Sequence, residues 1–357
     1  MSARPVTPRP PVSLQTVGRA VDARILGLLE EELERWSAID PDLVEPIVAL
    51  RDLVAAGGKR LRPAFCHWAY VGLGGDPAAP AVVDVGAALE LLHTFALVHD
   101  DVMDGSEVRR NRSAVHTEFA ARHRAGAWRG ESRRFGDGAA ILVGDFAFVY
   151  ADLLMHAAPP TARPVYDELR LELCVGQYLD LRGTSSGHLD AEKAHRIETY
   201  KSAKYSVERP LHLGAALAGA LEPAATALSA FGLPLGAAFQ MRDDLLGVFG
   251  DAAVIGKPIG DDLREGKLTP LIAFAHEAVT ASADRALLER VGAPDLGPDD
   301  VLALRDLFER SGARAAVEAA IELRLDAALD ALAASPLTDE SKVALGELAR
   351  FIAWREH

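Results

Sequence analysis

Apolar residues recur along this chain at intervals of three and four, as in Ile25, Leu28, Leu29 and Leu33. That period gathers them on one face of a helix. No stretch alternates apolar and polar residues for long enough to predict a half-buried strand. The expected fold class is therefore all-α, with few or no strands. Gly and Pro clusters predict the breaks: Gly72 to Pro77, Ala158 to Pro160, Gly183 to Gly187, Gly247 to Gly260 and Gly292 to Pro298. Arg122 to Gly138, with five arginines among glycines, reads as a solvated insertion between helices, with a phosphate clamp as the alternative. Leu271 to His357 is amphipathic helix that suggests no chemistry of its own.

Composition agrees with the pattern, since Ala, Leu, Glu and Arg are strong helix formers. The chain has 357 residues, 49% of them hydrophobic and 25% charged. That is enough to bury a large core, as two domains or one large one. Residues 1–20, opening MSARPVTPRPPV, are expected to be a disordered tail without the apolar core of a secretory signal. Residues 21–357 are expected to form one domain. The most apolar run, Ala81 to Val98, contains Asp84, Glu90 and His93, so it predicts a buried helix and no transmembrane segment. Two cysteines, Cys66 and Cys174, cannot build a disulfide framework and suit a reducing cytoplasm. The net charge of -14, from 38 Lys+Arg against 52 Asp+Glu, argues against a nucleic-acid binder.

Where the acid sits changes the picture. An apolar run ends in His99-Asp100-Asp101-Val102-Met103-Asp104, a DDxxD string. Asp100 and Asp104 are one helical turn apart on one face, and like charges so placed repel unless a cation joins them. Mg²⁺, a hard ion that bridges carboxylates to phosphate oxygens, is the natural one. His93 lies two turns deeper on the same stripe. A second apolar run ends in Phe239-Gln240-Met241-Arg242-Asp243-Asp244. Two acidic helix ends facing each other across a cavity could clamp a polyphosphate through metals. Basic clusters lie between and around them: Lys59-Arg60-Leu61-Arg62, Arg109-Arg110, Lys201 with Lys204, Lys257 and Lys267. Arg forks match phosphate oxygens and Lys acts as a point charge.

The strings GGKRLRP, HTFALVHDDVMD, RR, GD at 144–145, GQYLD at 176–180, KSAKY, FQMRDD and GKPIGDDLREGK follow one another in this order. In that combination the sequence resembles the trans-isoprenyl diphosphate synthases of the polyprenyl synthetase family. The resemblance implies a single helical bundle around a deep central cavity, the isoprenoid synthase fold, usually as a homodimer. It implies that isopentenyl diphosphate is joined to an allylic diphosphate, with three Mg²⁺ per site, through an allylic carbocation. Carried over, Asp100, Asp101, Asp104, Asp243 and Asp244 are metal ligands. Lys59, Arg62, His93 and Arg110 hold isopentenyl diphosphate. Arg109, Lys201, Gln240, Lys257 and Lys267 contact the allylic diphosphate, and Gln177 sits in a family motif. Asp100, Asp101, Asp104, Lys201, Asp243 and Lys257 are the expected catalytic set.

There are departures. Gly247 stands where the second motif has its third Asp, Ser202 replaces the usual Thr, and Asn111 stands where Gly is common. The family pattern gives weight to the fifth residue before the first Asp, here Phe95, which lies ~7.5 Å below the metal site along a helix. Ideal helix geometry instead puts Leu92 and Ala96 nearer the Asp100 stripe. The expectation is a short-chain product, geranylgeranyl first and farnesyl or longer as alternatives, with Phe95→Ala lengthening it. The competing classes are a terpene cyclase, a non-catalytic partner subunit of a heteromeric synthase, and an acidic helical scaffold. The retained acidic motifs and the second diphosphate cluster oppose all three.

Overall fold

The computed structural model describes residues 9–186, 191–251, 259–267 and 269–355. The chain is expected to be a tail up to residue 20, but helix α1 (Val12–Ser37) already starts after Pro10-Pro11. Its buried residues Leu14, Val17, Val21, Ile25 and Leu29 recur at helical spacing and extend the core-facing stripe back to the prolines. Helices α2 (Val44–Ala55), α3 (Leu61–Gly72) and α4 (Pro80–Asp104) follow. A two-residue hairpin, β1 (Val108–Arg109) with β2 (Arg112–Ser113), is the one sheet among the described residues. Then come α5 (Val115–Ala125), α6 (Ser132–Leu154), α7 (Arg163–Ser186) and α8 (Ala191–Ile197). A π-helix (Glu198–Glu208) runs into α9 (Arg209–Leu217). The remainder is α10 (Leu221–Phe249), α11 (Asp261–Arg264), α12 (Pro270–Ala278), α13 (Ser282–Leu288), α14 (Pro298–Arg310), α15 (Ala313–Ala334) and α16 (Asp339–Trp354).

Three expected breaks are shorter than the sequence suggests. α7 runs through Gly183 to Ser186, and α10 runs through Gly247 to Phe249. The expected Arg122–Gly138 insertion shrinks to residues 126–131 between α5 and α6. Arg124, Arg129, Arg133 and Arg134 are exposed there, so this segment is solvated. Packing on neighbouring helices outweighs the modest cost of a glycine inside a helix.

Helix α4 explains the long apolar run. Pro80 starts it, a left-handed Gly105 (φ 68°) ends it, and its buried residues lie all around its axis. Leu89, Leu91 and Leu92 are fully buried, each contributing roughly 2 kcal/mol. By length and composition α4, α10 and the stretch Ser132–Ala157 could each cross a membrane. Their apolarity is accounted for by packing in the α4 window, which is 61% buried, against 44% in the other two. Two hydrophobic cores result. One joins α1, α2, α4, α6 and α7, and the other joins α3, α10 and α12 to α16. The first owns the helix ending in Asp100–Asp104, and the second owns α10, which carries Asp243–Asp244 in its last two turns. A cavity of about 1670 Å³ is lined from both.

Candidate active site

The two ends of the first motif take different partners. Asp100 lines the cavity and accepts from Gln177 Nε2 at 2.9 Å and Lys201 Nζ at 3.3 Å. Asp101 is buried and bonded through both its oxygens to Arg109, with Nε to Oδ1 at 2.9 Å. It is absent from the cavity lining, so the structure gives it to Arg109 and leaves Asp100 facing the open space. Asp104 is likewise absent from that lining and accepts from Lys267 at 3.1 Å. The hairpin turns at Arg110 and Asn111, with φ of 54° and 60°. Asn tolerates this left-handed region, which accounts for its standing where Gly is common.

The π-helix presents the opposite wall. Lys201, Ser202, Tyr205 and Ser206 all line the cavity. Lys201 also donates to Asp180 at 2.5 Å. Burial opposes its charge, but Asp100 and Asp180 outweigh this and hold its pKa above the ordinary value. Gly176 in GQYLD lets α7 and the π-helix touch, because a Cβ there would lie 2.5 Å from the Lys201 nitrogen. π-helical turns recur at functional sites.

On α10, Gln240 connects two groups. It accepts from Ser202 Oγ at 2.5 Å and donates to Asp244 Oδ1 at 2.7 Å, so the hydroxyl kept at 202 is in use. Burial first, and then Asp262, push the Asp244 carboxyl well above the usual range. Asp243 goes the other way. Burial opposes its charge, but Arg355, Lys59 and Arg62 hold its pKa below the usual value.

Cations crowd the space between α3 and the hairpin. Burial, helped by Arg355 and Arg110, lowers Lys59 to about 8. Burial, with Arg60, Arg109 and Arg62, lowers Arg110 to about 10 against the pull of Glu90. Arg62 lies 4.3 Å above the Tyr205 ring and donates to Ser206 Oγ at 2.8 Å. His93 is pushed well below its ordinary pKa by burial and by Arg62 and Arg110, so it is neutral at pH 7. Arg62 Nε, His93 Nδ1 and Tyr205 OH are buried without a hydrogen-bond partner among the described residues. Unpaired buried polar atoms among compressed cations form a site that fits an anion.

Among the described residues no three His, Cys, Asp or Glu side chains close into a metal cage. Mg²⁺ does not require one, because it keeps waters and takes one or two carboxylates with phosphate oxygens. The Lys267 ammonium lies 3.1 Å from Asp104, 3.5 Å from Asp262 and 2.6 Å from Glu265. A cation is therefore accepted between the first acidic motif and the turn that carries Asp262 and Glu265, and the donor set fits a hard metal.

The cavity gathers Lys59, Arg62, His93, Arg109, Arg110, Lys201, Gln177, Gln240, Lys267, Asp100, Asp243 and Asp244. Lys257 lies outside the described residues. Phe95 is turned away, its ring packed at a tilt 4.9 Å from Phe148 on α6 and 4.6 Å from His99. Leu92 is fully buried in the core, and Ala96 and Leu97, with Glu90 and His93 deeper along α4, line the cavity below Asp100. Residue 95 lies off the Asp100 stripe by helical geometry, and Phe95 is absent from the cavity lining. The residues missed from sequence are Asp180, Asp262, Ser206 and Arg355. Asp180 and Asp262 stand inside strings already recognised, three after Gln177 and next to Asp261, and their positions could have been read from them. A lone Arg355 offered no signal.

A helical bundle that sets two acidic helix ends and a cationic pocket around one apolar cavity is the architecture of an isoprenoid synthase. The family model described as polyprenyl synthetase matches residues 47–306. A short chain isoprenyl diphosphate synthase of Methanothermobacter thermautotrophicus is 32% identical over 330 residues, covering 91% of this chain and 94% of that protein. A geranylfarnesyl diphosphate synthase of Aeropyrum pernix is 31% identical over 338 residues, covering 92% and 99%. The crystal structure of a geranylgeranyl pyrophosphate synthase from Corynebacterium glutamicum, complexed with isoprenyl diphosphate and magnesium, superposes with a TM-score of 0.91 at 32% identity. The match covers 96% of this chain and 99% of that one. The chain belongs to the polyprenyl synthetase family and is a trans-prenyltransferase, an isoprenyl diphosphate synthase.

Proposed function

We propose that the protein condenses isopentenyl diphosphate with an allylic diphosphate to give a short all-trans prenyl diphosphate, geranylgeranyl diphosphate first. The observation that carries this reading is one cavity lined by Asp100, Asp243 and Asp244 together with Lys59, Arg62, His93 and Arg110. Two clusters for two diphosphates in one cavity suit a synthase, whereas a cyclase has one diphosphate to hold. The product length draws support from the similarity to the Corynebacterium enzyme and from the small Ala96 below Asp100.

In this reading Asp100, Asp104, Asp243 and Asp244 hold Mg²⁺, three ions per site, with Asp101 fixing Arg109 beside them. Bound Mg²⁺ neutralises the leaving diphosphate as the allylic cation develops. Lys201, Lys267 and Arg109 add fixed positive charge around the same leaving group. Lys59, Arg62 and Arg110 orient isopentenyl diphosphate so that its double bond meets the cation, and neutral His93 lies along the same wall. A carbon–carbon bond forms, and a proton then leaves the adduct. Phe239, Leu97 and Leu173 line the cavity and exclude water that would quench the cation.

We further infer a homodimer. Ile141, Leu142, Val149 and Leu153 on α6, and Leu171, Val175 and Tyr178 on α7, are exposed. Arg170, ion-paired to Asp152, ties the two helices together. Two such apolar helix faces suit an isologous partner. A cytoplasmic setting accords with unpaired Cys66 and Cys174. The deciding experiment incubates the protein with Mg²⁺, isopentenyl diphosphate and C5, C10 or C15 allylic primers. Elongation to C20 is expected. No elongation with any primer overturns the synthase reading, and a cyclic hydrocarbon formed without isopentenyl diphosphate favours a cyclase.

A further inference from the structure

The first turns of α1 lie against α3 and the start of α4, and a second cavity of about 380 Å³ opens between them. Among the described residues it shares no lining residue with the diphosphate cavity. Helix α1 stands between the two. Leu14, Gly18 and Asp22 line the diphosphate cavity, whereas Ser13, Val17 and Val21 line this one. Val17, Val21 and Val82 are buried, and with Val83 they make its walls apolar. None of the described residues that line it is Asp, Glu, Lys or Arg. His67 lines it too, and burial lowers its pKa, so it is neutral at pH 7. A charged ligand would find no counterion here, and leaving a charge unpaired in such a place is costly.

The cavity nevertheless has polar needs. Ser13 Oγ on α1 and Trp68 Nε1 on α3 are buried without a hydrogen-bond partner among the described residues, and both residues line it. The His67 ring packs edge-on against the Trp68 ring, with 5.2 Å between centroids. Water is a poor occupant, because the space equals roughly a dozen waters at ~30 Å³ each and apolar walls favour carbon over water. The indole N–H only donates, whereas a serine hydroxyl donates and accepts. A ligand hydroxyl can therefore accept from the first and bond the second in either sense. The volume lies at the small end of ligand pockets, which run ~300–1,000 Å³.

We propose that this cavity is a binding site for a small uncharged aliphatic alcohol, its chain packed on the valines and its hydroxyl placed at Trp68 and Ser13. Helix α3 carries Arg62 in its first turn and α4 ends in the first acidic motif. An occupant thus braces two helices that lead to the diphosphate cavity.

The probe is geraniol, a branched alcohol, titrated into the full chain labelled with ¹⁵N at its four tryptophan indoles. The Trp68 N–H resonance, assigned by its loss in Trp68→Phe, should move downfield and saturate, while those of Trp36, Trp128 and Trp354 stay in place. Myrcene, a related hydrocarbon without the hydroxyl, should not move it downfield. By calorimetry Trp68→Phe should bind geraniol roughly threefold to tenfold more weakly, the loss of one hydrogen bond. Val83→Phe fills the space and should abolish the Trp68 response. A Trp68 resonance that does not move overturns the proposal, and a response confined to another indole places the alcohol elsewhere and overturns it too. So does a Val83→Phe variant that melts like wild type and keeps the response. An equal downfield shift with myrcene overturns the assigned polar end. Should Val83→Phe fail to fold, Trp68→Phe decides, since wild-type affinity in that variant overturns the proposal.

Discussion

Arg355, fully buried just beyond α16, is ion-paired with Asp243, the first carboxylate of the second acidic motif, and lies 4.6 Å from the Phe239 ring. The Asp243 side chain remains 40% exposed. Breaking a buried pair costs ~3–5 kcal/mol, and the open side of Asp243 reduces this to about 1–3 kcal/mol for Arg355→Gln. The same change frees Asp243, so Mn²⁺ should bind more tightly in the absence of substrate. Urea denaturation and a metal titration check the two effects. A variant that is less stable but binds metal no better would make Arg355 a packing residue alone.

Lys59 gives a pH signature. Its pKa is lowered to about 8, so in the folded protein it loses its proton near pH 8, whereas the unfolded chain keeps it up to the ordinary 10.5. The unfolded chain holds more protons in that window, so this group adds stability as pH rises. Diphosphate binding works in the opposite direction, because it favours the ammonium. Inorganic pyrophosphate should therefore bind with proton uptake near pH 8.5 and weaken above it. Calorimetry in two buffers of different ionisation enthalpy measures the uptake, which Lys59→Gln should abolish.

The metal reading predicts that Asp100→Ala and Asp243→Ala each lower turnover by about two orders of magnitude or more. Far-ultraviolet circular dichroism should still show a helical fold, since neither side chain is packed in the core. Near-normal rates in either variant would refute a two-motif clamp.

Chain length should respond at Ala96, not at Phe95. Ala96→Phe places a ring in the cavity below Asp100 and should shorten the product by at least one C5 unit. Phe95→Ala removes a ring packed on Phe148 and should cost about 2–4 kcal/mol while leaving the product length unchanged. Product chromatography reads the first effect, and denaturant midpoints read the second. A longer product from Phe95→Ala would restore Phe95 as the floor.

Much of this molecule was legible before folding. The three- and four-residue spacing in α1 and α4 gave helices, and the ordered strings placed Asp100, Asp243, Lys59 and Arg62 near one another. The failures share a physical origin. Periodicity locates a face but cannot say which neighbour covers it, so the packing of Phe95 on Phe148 was invisible. A DDxxD string does not say that Asp101 turns inward to Arg109 while Asp100 faces the cavity. The sequence shows Gly247 as a departure, but it does not show that Asp262, fifteen positions along, lies beside it, where the Gly260–Gly247 hydrogen bond and buried Leu263 set the turn. Arg355 pairs with a residue 112 positions away, beyond any local pattern.

The left-handed turn at Arg110 and Asn111 sends two consecutive arginines to different tasks. Arg109 is fastened to Asp101 beside the first acidic motif, and Arg110 stands among the cations near Glu90, donating to the Leu53 carbonyl at 3.0 Å. Neighbouring α-carbons are about 3.8 Å apart across a trans peptide, whatever else moves. The hairpin therefore acts as a yoke. On the proposed reading, the site for each diphosphate is tied to the other by a single covalent link, which limits how far the two reactants can be held apart.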